Sequence, residues 1–323
     1  MGGSRSGVDV AELVTRARAA DLRAVARLIS LVEGDSPLRR EVAAALAPHA
    51  GRAWVVGLTG APGVGKSTST SALVAALRGR DRRVGVLAVD PSSPFSGGAL
   101  LGDRIRMQEH ATDDGVFIRS LASRGQLGGL SAAVPQALRV LDVAGCDVVL
   151  IETVGVGQAE VEIASLADTT LLVLAPGLGD GIQAAKAGVV EIADVFVVNK
   201  ADRDGADQVA RDLRHMQTLG GWNPAAWQAP IVKTVAARGD GADAVLDAIE
   251  AHRSWLVEHG ELARRRTARA EAEIEAIALD LIRRRLGQVR GSSALDTAAA
   301  RVVAGEIDAY AAADELLDSL PRL

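Results

Sequence analysis

The sequence predicts a doubly wound α/β domain on a mostly parallel sheet, flanked by helices and carrying a phosphate-binding loop. Three observations lead to this fold class. Short β-branched and apolar runs alternate with helical stretches between Trp54 and Lys233. These runs are apolar throughout, which is typical of strands buried on both faces of a parallel sheet. The first run is followed by the glycine-rich segment GAPGVGKS, residues 60–67, which opens a helix.

The segment that precedes the sheet is predicted to be helical. Apolar residues recur at helical spacing from Val10 to Leu46, which indicates two or three short helices. A break is expected near GDSP, where Pro37 follows a turn signal. We assign residues 1–50 to this N-terminal helical extension.

The central part of the chain, residues 51–259, is predicted to form the phosphate-binding domain. Seven strands are expected in it, with the sequences WVVGL, VGVLAVD, GVFIRSL, DVVLIE, TLLVLAP, VFVVNK and PIVKT. Helical stretches separate most of them, as a parallel sheet requires.

The C-terminal part, residues 260–323, adds helices and no strand. A charged amphipathic helix covers ELARRRTARAEAEIEAIALDLIRRRL, with Ile274, Ile277 and Leu281 along one stripe. A single final helix is expected after Ser293. Because a long amphipathic helix outside the sheet needs a cover for its apolar side, a dimerisation arm is favoured over a solvated helical appendage.

The segment GAPGVGKS fits the pattern G-x-x-x-x-G-K-[ST] and stands between a strand and a helix, as that pattern requires. Gly60, Gly63 and Gly65 allow backbone N–H groups to turn toward phosphate oxygens, and the helix start directs its positive end to the same place. Lys66 is expected to reach the β- and γ-phosphates, and the Ser67 hydroxyl to bind Mg²⁺. The predicted nucleotide contacts here are Gly60, Ala61, Pro62, Gly63, Val64, Gly65, Lys66, Ser67 and Thr68.

The tetrapeptide NKAD, residues 199–202, follows the sixth predicted strand and has the N-K-x-D arrangement of a guanine reader. The Asp202 carboxylate can accept from both N1–H and the exocyclic amine of guanine, whereas adenine has an acceptor at N1. Asn199 would tie this loop to the phosphate turn, and the aliphatic stem of Lys200 would lie on the base. GTP is therefore favoured over ATP. Val235 and Ala236, after PIVKT, complete the predicted nucleotide contacts.

Acidic residues at strand ends predict a magnesium site. Glu152 ends the fourth predicted strand and precedes Gly155 in E-x-x-G, where many GTPases have D-x-x-G; the glycine N–H can contact the γ-phosphate. The segment DPSSPFSGGALLGDRIRM supplies Asp90 and Asp103, although Asp103 can also serve as an ordinary helix N-terminal residue. The predicted metal ligands are Ser67, Asp90, Asp103 and Glu152, and the predicted catalytic residues are Lys66, Asp90, Asp103 and Glu152.

A further glycine-rich loop, PGLGDGIQAAKAG, follows the fifth predicted strand, with Asp180, Gln183 and Lys186 as candidate polar contacts. The alternative is a plain strand-to-helix connection. No glutamine directly follows Gly155 to orient a water molecule, and Gln158 lies farther on. Slow intrinsic hydrolysis that a partner accelerates is therefore expected.

Composition excludes several function classes. The net charge is −5, and no basic tract with interleaved aromatic residues is present, which argues against nucleic acid as a partner. No apolar stretch reaches transmembrane length and no secretory signal opens the chain, so a cytoplasmic protein without a membrane partner is expected. The single cysteine, Cys146, excludes a disulfide framework and is expected to pack in the core. The five histidines, at 49, 110, 215, 252 and 259, have no metal-ligand spacing.

Taken together, GAPGVGKST, DPSSPFSGGALLGDRIRM, ETVGVGQ, PGLGDGIQAAKAG and NKAD resemble the MeaB/ArgK/MMAA family of G3E-type P-loop GTPases, from about residue 10 to the C-terminus. The resemblance implies a homodimeric GTPase chaperone that gates cofactor delivery to adenosylcobalamin-dependent methylmalonyl-CoA mutase and protects the mutase from inactivation. It implies GTP/GDP and Mg²⁺ as cofactors, with Lys66 and Ser67 at the phosphates and magnesium. It also implies that Asp90, Asp103 and Glu152 belong to the magnesium shell and first switch, and that residues 176–188 form a third switch. Without the resemblance, the residues predict only a regulated GTPase.

Two other functions stay open at this point. A small-molecule kinase or transport-linked ATPase, of the arginine/ornithine transport type, would need an acceptor pocket with a base near the γ-phosphate. A nickel-insertion GTPase would ordinarily need cysteine and histidine at metal spacing, which a chain with one cysteine supports poorly.

Overall fold

The computed structural model describes residues 8–33, 36–91, 108–110, 112–123, 133–153, 159–177, 191–219, 226–289 and 293–318. The chain divides into two compact units, Met1–Thr267 and Ala268–Leu323. Among the helices of the described residues, none combines the length and apolarity needed to cross a bilayer.

The first unit contains a sheet of seven strands, and each strand predicted from the sequence is present. The strands are β1 (Trp54–Thr59), β2 (Val84–Pro91), β3 (Val116–Ser123), β4 (Val148–Thr153), β5 (Thr169–Leu174), β6 (Val195–Val198) and β7 (Ile231–Lys233). Their order is β3-β2-β4-β1-β5-β6-β7, and every neighbouring pair is parallel. The carboxyl ends of β1, β4 and β6 therefore lie at one edge of the sheet, where parallel sheets bind ligands.

Eleven α-helices are formed by the described residues. They are α1 (Val10–Arg18), α2 (Leu22–Glu33), α3 (Arg39–Leu46), α4 (Lys66–Gly79), α5 (Ala133–Val143), α6 (Ala159–Leu166), α7 (Ala206–Leu219), α8 (Ala242–Glu258), α9 (Glu261–Val289), α10 (Ser293–Val303) and α11 (Ala309–Asp318). Short 3₁₀ helices cover Ala47–His49, Gln108–His110 and Ala236–Arg238. The N-terminal extension thus holds three short helices, where the sequence predicts two or three.

Helices cover both faces of the sheet, which confirms the doubly wound fold. Val55 of β1 belongs to one core cluster with Leu28 of α2 and Val134 of α5. The next residue, Val56, belongs to a second cluster with Leu73 of α4 and Ile249 of α8. Because successive side chains of a strand point to opposite faces, a strand with a helix on each side is apolar at every position.

A chain of hydrogen bonds fixes the amino ends of β1 and β5, on the side of the sheet away from the glycine-rich loop. Trp54 Nε1 donates to Thr169 Oγ1 at 3.1 Å, and Thr169 Oγ1 lies 2.9 Å from His252 Nδ1. Since the threonine hydroxyl accepts from the indole, its own hydrogen is available to a neutral His252. Burial lowers the pKa of His252 to about 4, and this effect outweighs the nearby Asp194 carboxylate, whose charge raises the same pKa.

Two arginines at the start of α9 bind the same region. Arg265 donates to both carboxylate oxygens of Asp194, at 2.9 and 3.0 Å. Arg266 donates to both oxygens of Asp168, at 2.9 and 3.2 Å, and to the carbonyl oxygen of Gly51 at 2.7 Å. Bidentate pairs of this kind have well-defined geometry, so the first turns of α9 are held to the amino ends of the strands.

The second unit contains most of α9 together with α10 and α11, and here the prediction of one final helix is wrong. Gly305 adopts a left-handed conformation with φ +73°, and Glu306 N donates to Arg301 O, which closes the end of α10. Asp308 then accepts from the backbone N–H groups of Tyr310 and Ala311 and caps α11. The sequence AGEID therefore ends one helix and starts another.

Candidate functional site

The glycine-rich loop lies between Thr59, the last residue of β1, and Lys66, the first residue of α4. Two of its glycines have no room for a side chain. A Cβ on Gly60, which has φ +142°, would lie 2.2 Å from the carbonyl oxygen of Val173. A Cβ on Gly65, which has φ +99°, would lie 2.4 Å from Asn199 Nδ2. The loop geometry therefore requires glycine at these positions.

Lys66 folds back over the loop that precedes it. Its Nζ atom donates to the carbonyl oxygen of Gly60 at 2.6 Å and to that of Ala61 at 3.2 Å. The side chain is buried, so its ammonium group lies inside the turn and not in solvent. An ammonium held in this way by backbone carbonyls is placed to meet an anion bound by the loop's N–H groups.

The other predicted loop residues differ in exposure. Val64 is buried, whereas Ala61 and Pro62 are exposed. In the first turn of α4, Ser67 is half-buried and Thr68 is exposed. Neither of these two hydroxyl residues is fully buried.

Asn199 joins the loop after β6 to the glycine-rich loop, and the link that the sequence predicts is present. Its Nδ2 donates to Val64 O at 2.9 Å. Its Oδ1 accepts from Ala236 N at 3.0 Å and from Thr234 Oγ1 at 3.2 Å. The side chain is 3% exposed. One amide group therefore connects the segments that follow β1, β6 and β7.

The remaining residues of NKAD extend from this junction. Lys200 has φ +57°, and its Nζ donates to Gly63 O at 2.6 Å, which makes a second link between the two loops. Asp202 is exposed, and Arg238 Nη1 lies 3.7 Å from its carboxylate. A hydrogen bond to Asp240 raises the pKa of Arg238, as does the charge of Asp202 more weakly. Residues 234–240 therefore lie beside the NKAD tetrapeptide.

Val235 and Ala236 belong to this neighbouring segment. Val235 N donates to Asp240 O at 3.0 Å, and Ala236 begins a 3₁₀ helix whose first N–H is held by Asn199. The structure thus brings both residues to the NKAD loop.

Glu152 lies on β4, where its backbone is in register with Leu58 of β1 and Ala88 of β2. Its side chain is 3% exposed. Thr70 Oγ1 of α4 donates to Glu152 Oε2 at 2.5 Å. A buried carboxylate needs compensating hydrogen bonds, and this one comes from the helix that carries Lys66 and Ser67.

The chemistry of these groups fits a hard cation. The Ser67 hydroxyl and the Glu152 carboxylate offer oxygen donors only, which is the set that Mg²⁺ prefers when phosphate oxygens and water complete its shell. Among the described residues, no group of three or more His, Cys, Asp or Glu side chains is arranged to hold a metal ion.

Several predicted residues cannot be compared with the structure. Asp90 lies next to the last residue of β2, and its side chain is outside what the structure describes. The other predicted residues outside the described ranges are Asp103, Gly155, Gln158, Asp180, Gln183 and Lys186. Their roles stay predictions.

Two residues with contacts to this site were missed by the sequence reasoning. Thr70 bonds Glu152, and Thr234 bonds Asn199. Both are buried hydroxyls. The run STSTS at residues 67–71 carried a signal for Thr70, because so many hydroxyl residues at a helix start lower helix propensity and so suggest another use.

The described chain resumes after residues 92–107 with the 3₁₀ helix Gln108–His110, which packs on α4. Ser71 Oγ donates to Glu109 Oε1 at 2.7 Å and lies 2.9 Å from His110 Nε2. Arg78, farther along α4, donates to Asp113 at 2.8 Å. The helix that starts at the phosphate loop therefore also holds the segment that follows the predicted first switch.

Comparison with known proteins assigns the chain to a family. The sequence profile of a family described as methylmalonyl Co-A mutase-associated GTPase MeaB matches residues 25–290. A protein of Pyrococcus abyssi (strain GE5 / Orsay), named as a candidate GTPase, is 48% identical over 314 residues, which cover 96% of each protein. The GTPase ArgK of Escherichia coli (strain K12) is 40% identical over 211 residues, 64% of this chain and 63% of ArgK.

A solved structure has a similar fold. The crystal structure of a LAO/AO transport system kinase matches with a TM-score of 0.70 and 26% sequence identity, over 98% of this chain and 99% of that one. Its similarity extends over both compact units.

Proposed function

The chain belongs to the MeaB family of methylmalonyl-CoA mutase-associated GTPases, and from this premise we propose that it is a Mg²⁺-dependent GTPase chaperone of adenosylcobalamin-dependent methylmalonyl-CoA mutase. In this role it gates delivery of the cofactor and protects the mutase from inactivation. The mutase partner is supported by the name of the family, and the guanine nucleotide by the geometry of the site.

One observation carries the nucleotide part of the proposal. Asn199 Nδ2 and Lys200 Nζ donate to the carbonyl oxygens of Val64 and Gly63, so the guanine-reading tetrapeptide is fastened to the phosphate loop. A base and a triphosphate of one nucleotide can then be bound by two segments that are 135 residues or more apart in sequence. Asp202 would accept from the N1–H and amine of guanine.

Different residues of the site are proposed to bind the phosphates and the magnesium ion. The N–H groups of the glycine-rich loop and the Lys66 ammonium would hold the β- and γ-phosphates and stabilise the charge that develops during transfer. Ser67 and Glu152 would hold Mg²⁺, with Asp90 and Asp103 as further proposed ligands. When bound, the ion neutralises phosphate charge. Loss of the γ-phosphate would release the loops beyond β2, β4 and β5, which is how such proteins signal to a partner.

We also propose a homodimer formed through the C-terminal arm. Ile274, Ile277 and Ile282 of α9 are 68%, 42% and 51% exposed. A second copy of the arm would remove this apolar surface from water. Light scattering of the Ile274→Asp/Ile277→Asp variant should give a monomer mass, whereas an unchanged dimer mass would reject this interface. The cytoplasmic location stays a prediction.

The partner is tested by incubation with an adenosylcobalamin-dependent methylmalonyl-CoA mutase. We expect GTP turnover to rise, and cofactor loading of the mutase to depend on GTP. Lys66→Ala is the matched control, because it removes the ammonium from the loop and should abolish both effects. If neither turnover nor loading responds with the wild-type chain, the chaperone role is wrong even if the protein hydrolyses GTP.

Base selection is tested by nucleotide competition. Unlabelled GTP should displace a fluorescent guanine nucleotide, and ATP at the same concentration should not. Asp202→Asn should weaken the guanine preference and favour xanthine nucleotides, since xanthine has a carbonyl oxygen where guanine has its amine, and an asparagine amide can donate to it. Equal displacement by ATP would contradict the assignment.

The second candidate is a kinase or transport-linked ATPase, favoured by the name of the solved structure that matches over 98% of this chain. That name describes the matched protein, not this chain. The same competition experiment separates the two functions, because a transport ATPase should bind ATP at least as tightly as GTP. Transfer of the γ-phosphate to arginine or ornithine, followed with labelled nucleotide, would be the direct sign of a kinase.

A further inference from the structure

We propose that Thr70 is a positioning residue of the GTPase site, whose hydroxyl fixes the Glu152 carboxylate in the orientation that Mg²⁺ binding requires. This inference rests on the proposed function, because the orientation of Glu152 matters in this way only if the site holds a magnesium nucleotide.

The contact joins two elements that converge on the phosphate loop. Thr70 lies three residues after Ser67 on α4, and Glu152 lies on β4, which neighbours β1. Thr70 Oγ1 donates to Glu152 Oε2 at 2.5 Å. Hydrogen bonds from a hydroxyl to an ionised carboxylate typically measure about 2.5–2.7 Å. The distance is therefore that of a strong, charge-assisted bond.

The hydrogen bond between Thr70 and Glu152 is shielded from water. Thr70 is fully buried, and Glu152 is 3% exposed. The β4 backbone is fixed by pairing with β1 and β2, but a glutamate side chain keeps three rotatable bonds. A donor on Oε2 removes much of that freedom and leaves the orientation of the other oxygen defined. Partners that orient metal ligands in this way typically change metal affinity by about 10–100-fold.

A purely structural role for Thr70 makes a different prediction. Its hydroxyl also lies 3.1 Å from Lys66 O, one turn earlier on α4, a contact that threonine commonly makes within helices. A hydroxyl has one hydrogen, and the carboxylate contact is the shorter of the two. If the contact to Lys66 were the important one, loss of the hydroxyl would change helix stability and leave magnesium affinity as it is.

The test compares hydroxyl-deleting, conservative and control variants. Thr70→Val keeps the shape and removes the hydroxyl, Thr70→Ala removes it without branching, and Thr70→Ser keeps it. Ser69→Ala is the matched control, because Ser69 is the buried neighbour on α4 and its hydroxyl has no hydrogen-bond partner among the residues that the structure describes. Calorimetry measures GDP affinity in EDTA, and then Mg²⁺ affinity of each GDP complex.

We expect Thr70→Val and Thr70→Ala to lower Mg²⁺ affinity by about 10–100-fold, with GDP affinity in EDTA within about 3-fold of wild type. Thr70→Ser should restore Mg²⁺ affinity to within about 3-fold, and Ser69→Ala should leave it unchanged. If Thr70→Val does not fold, Thr70→Ala carries the same prediction.

Two results would overturn the inference while the proposed function stands: wild-type Mg²⁺ affinity in a folded variant without the hydroxyl, or an equal loss in Ser69→Ala. A wild-type chain that binds no GDP, with or without Mg²⁺, would instead overturn the proposed function and this inference with it.

Discussion

Replacement of Asn199 by aspartate should break one hydrogen bond between the phosphate loop and the NKAD loop. Asn199 Oδ1 accepts from Ala236 N and Thr234 Oγ1, and an aspartate oxygen can keep both bonds. The other position is different, since Nδ2 donates to Val64 O at 2.9 Å. An ionised carboxylate would place an acceptor against that carbonyl oxygen.

The expected magnitude follows from the burial of this contact. Asn199 is 3% exposed, so water cannot readily replace the lost donor. A buried carbonyl deprived of its donor costs about 1–3 kcal/mol. If this cost appears as misalignment of the two loops, guanine nucleotide affinity should fall by about 5–150-fold, because every 1.4 kcal/mol is about tenfold.

Acid should reverse the effect. Burial raises the pKa of a carboxyl group above its ordinary value of about 3.9, and a protonated aspartate can donate to Val64 O as the amide does. Binding of a fluorescent GDP, measured from about pH 8 to about pH 5.5, should therefore weaken at high pH and recover at low pH relative to wild type. Asn199→Ala, which has no group to protonate, is the control and should not recover.

Two outcomes would refute this reasoning. The first is wild-type affinity of Asn199→Asp at about pH 8, which would mean that the bond to Val64 O does not align the loops. The second is the same acid recovery in Asn199→Ala, which would assign the pH dependence to another group.

Three further outcomes are expected. Gly60→Ala should abolish nucleotide binding in calorimetry, because its Cβ would lie 2.2 Å from the carbonyl oxygen of Val173, and a folded variant with normal affinity would contradict the loop geometry. Burial is the main cause that lowers the pKa of His252 to about 4, so below about pH 6.5 the unfolded chain takes up a proton that the folded chain does not. The free energy of unfolding measured in urea should therefore fall by about 2 kcal/mol from about pH 7 to about pH 5. His252→Gln should lack this part of the loss. Burial raises the pKa of Cys146 to about 12, so a thiol reagent should label it only after unfolding, and prompt labelling of the folded chain would be inconsistent with its burial.

The elements of the fold could be predicted because their signals are local. Each strand is an apolar run bounded by turn residues, and burial on both faces removes the need for any alternation. The phosphate loop and NKAD are short motifs with a fixed chemical purpose. The break between α10 and α11 also has a local signal, in Gly305 and Asp308. It was missed because helix-forming residues lie on both sides of it.

What could not be predicted depends on contacts between distant residues. Thr70 and Glu152 are 82 residues apart, and Thr169 and His252 are 83 apart. The spacing of the histidines in the sequence shows only that they do not match a metal site. It does not predict that the Thr169 hydroxyl bonds His252 or that burial keeps His252 neutral. Contacts of this kind are fixed by strand order, and strand order is not contained in any one segment.

The hydroxyl-rich start of α4 connects the local and the distant signals. Alanine would form this helix better than serine or threonine, so STSTS carries a cost in helix propensity. The hydroxyls at 70 and 71 offset that cost by bonding outside the helix: Thr70 bonds Glu152 on β4, and Ser71 bonds Glu109 beyond residues 92–107. The same helix begins with Lys66, which folds over the phosphate loop. A phosphate bound in the loop would therefore contact the helix whose hydroxyls also bond the β4 carboxylate and the segment that follows the predicted first switch. We propose this helix as the physical route from the γ-phosphate to both.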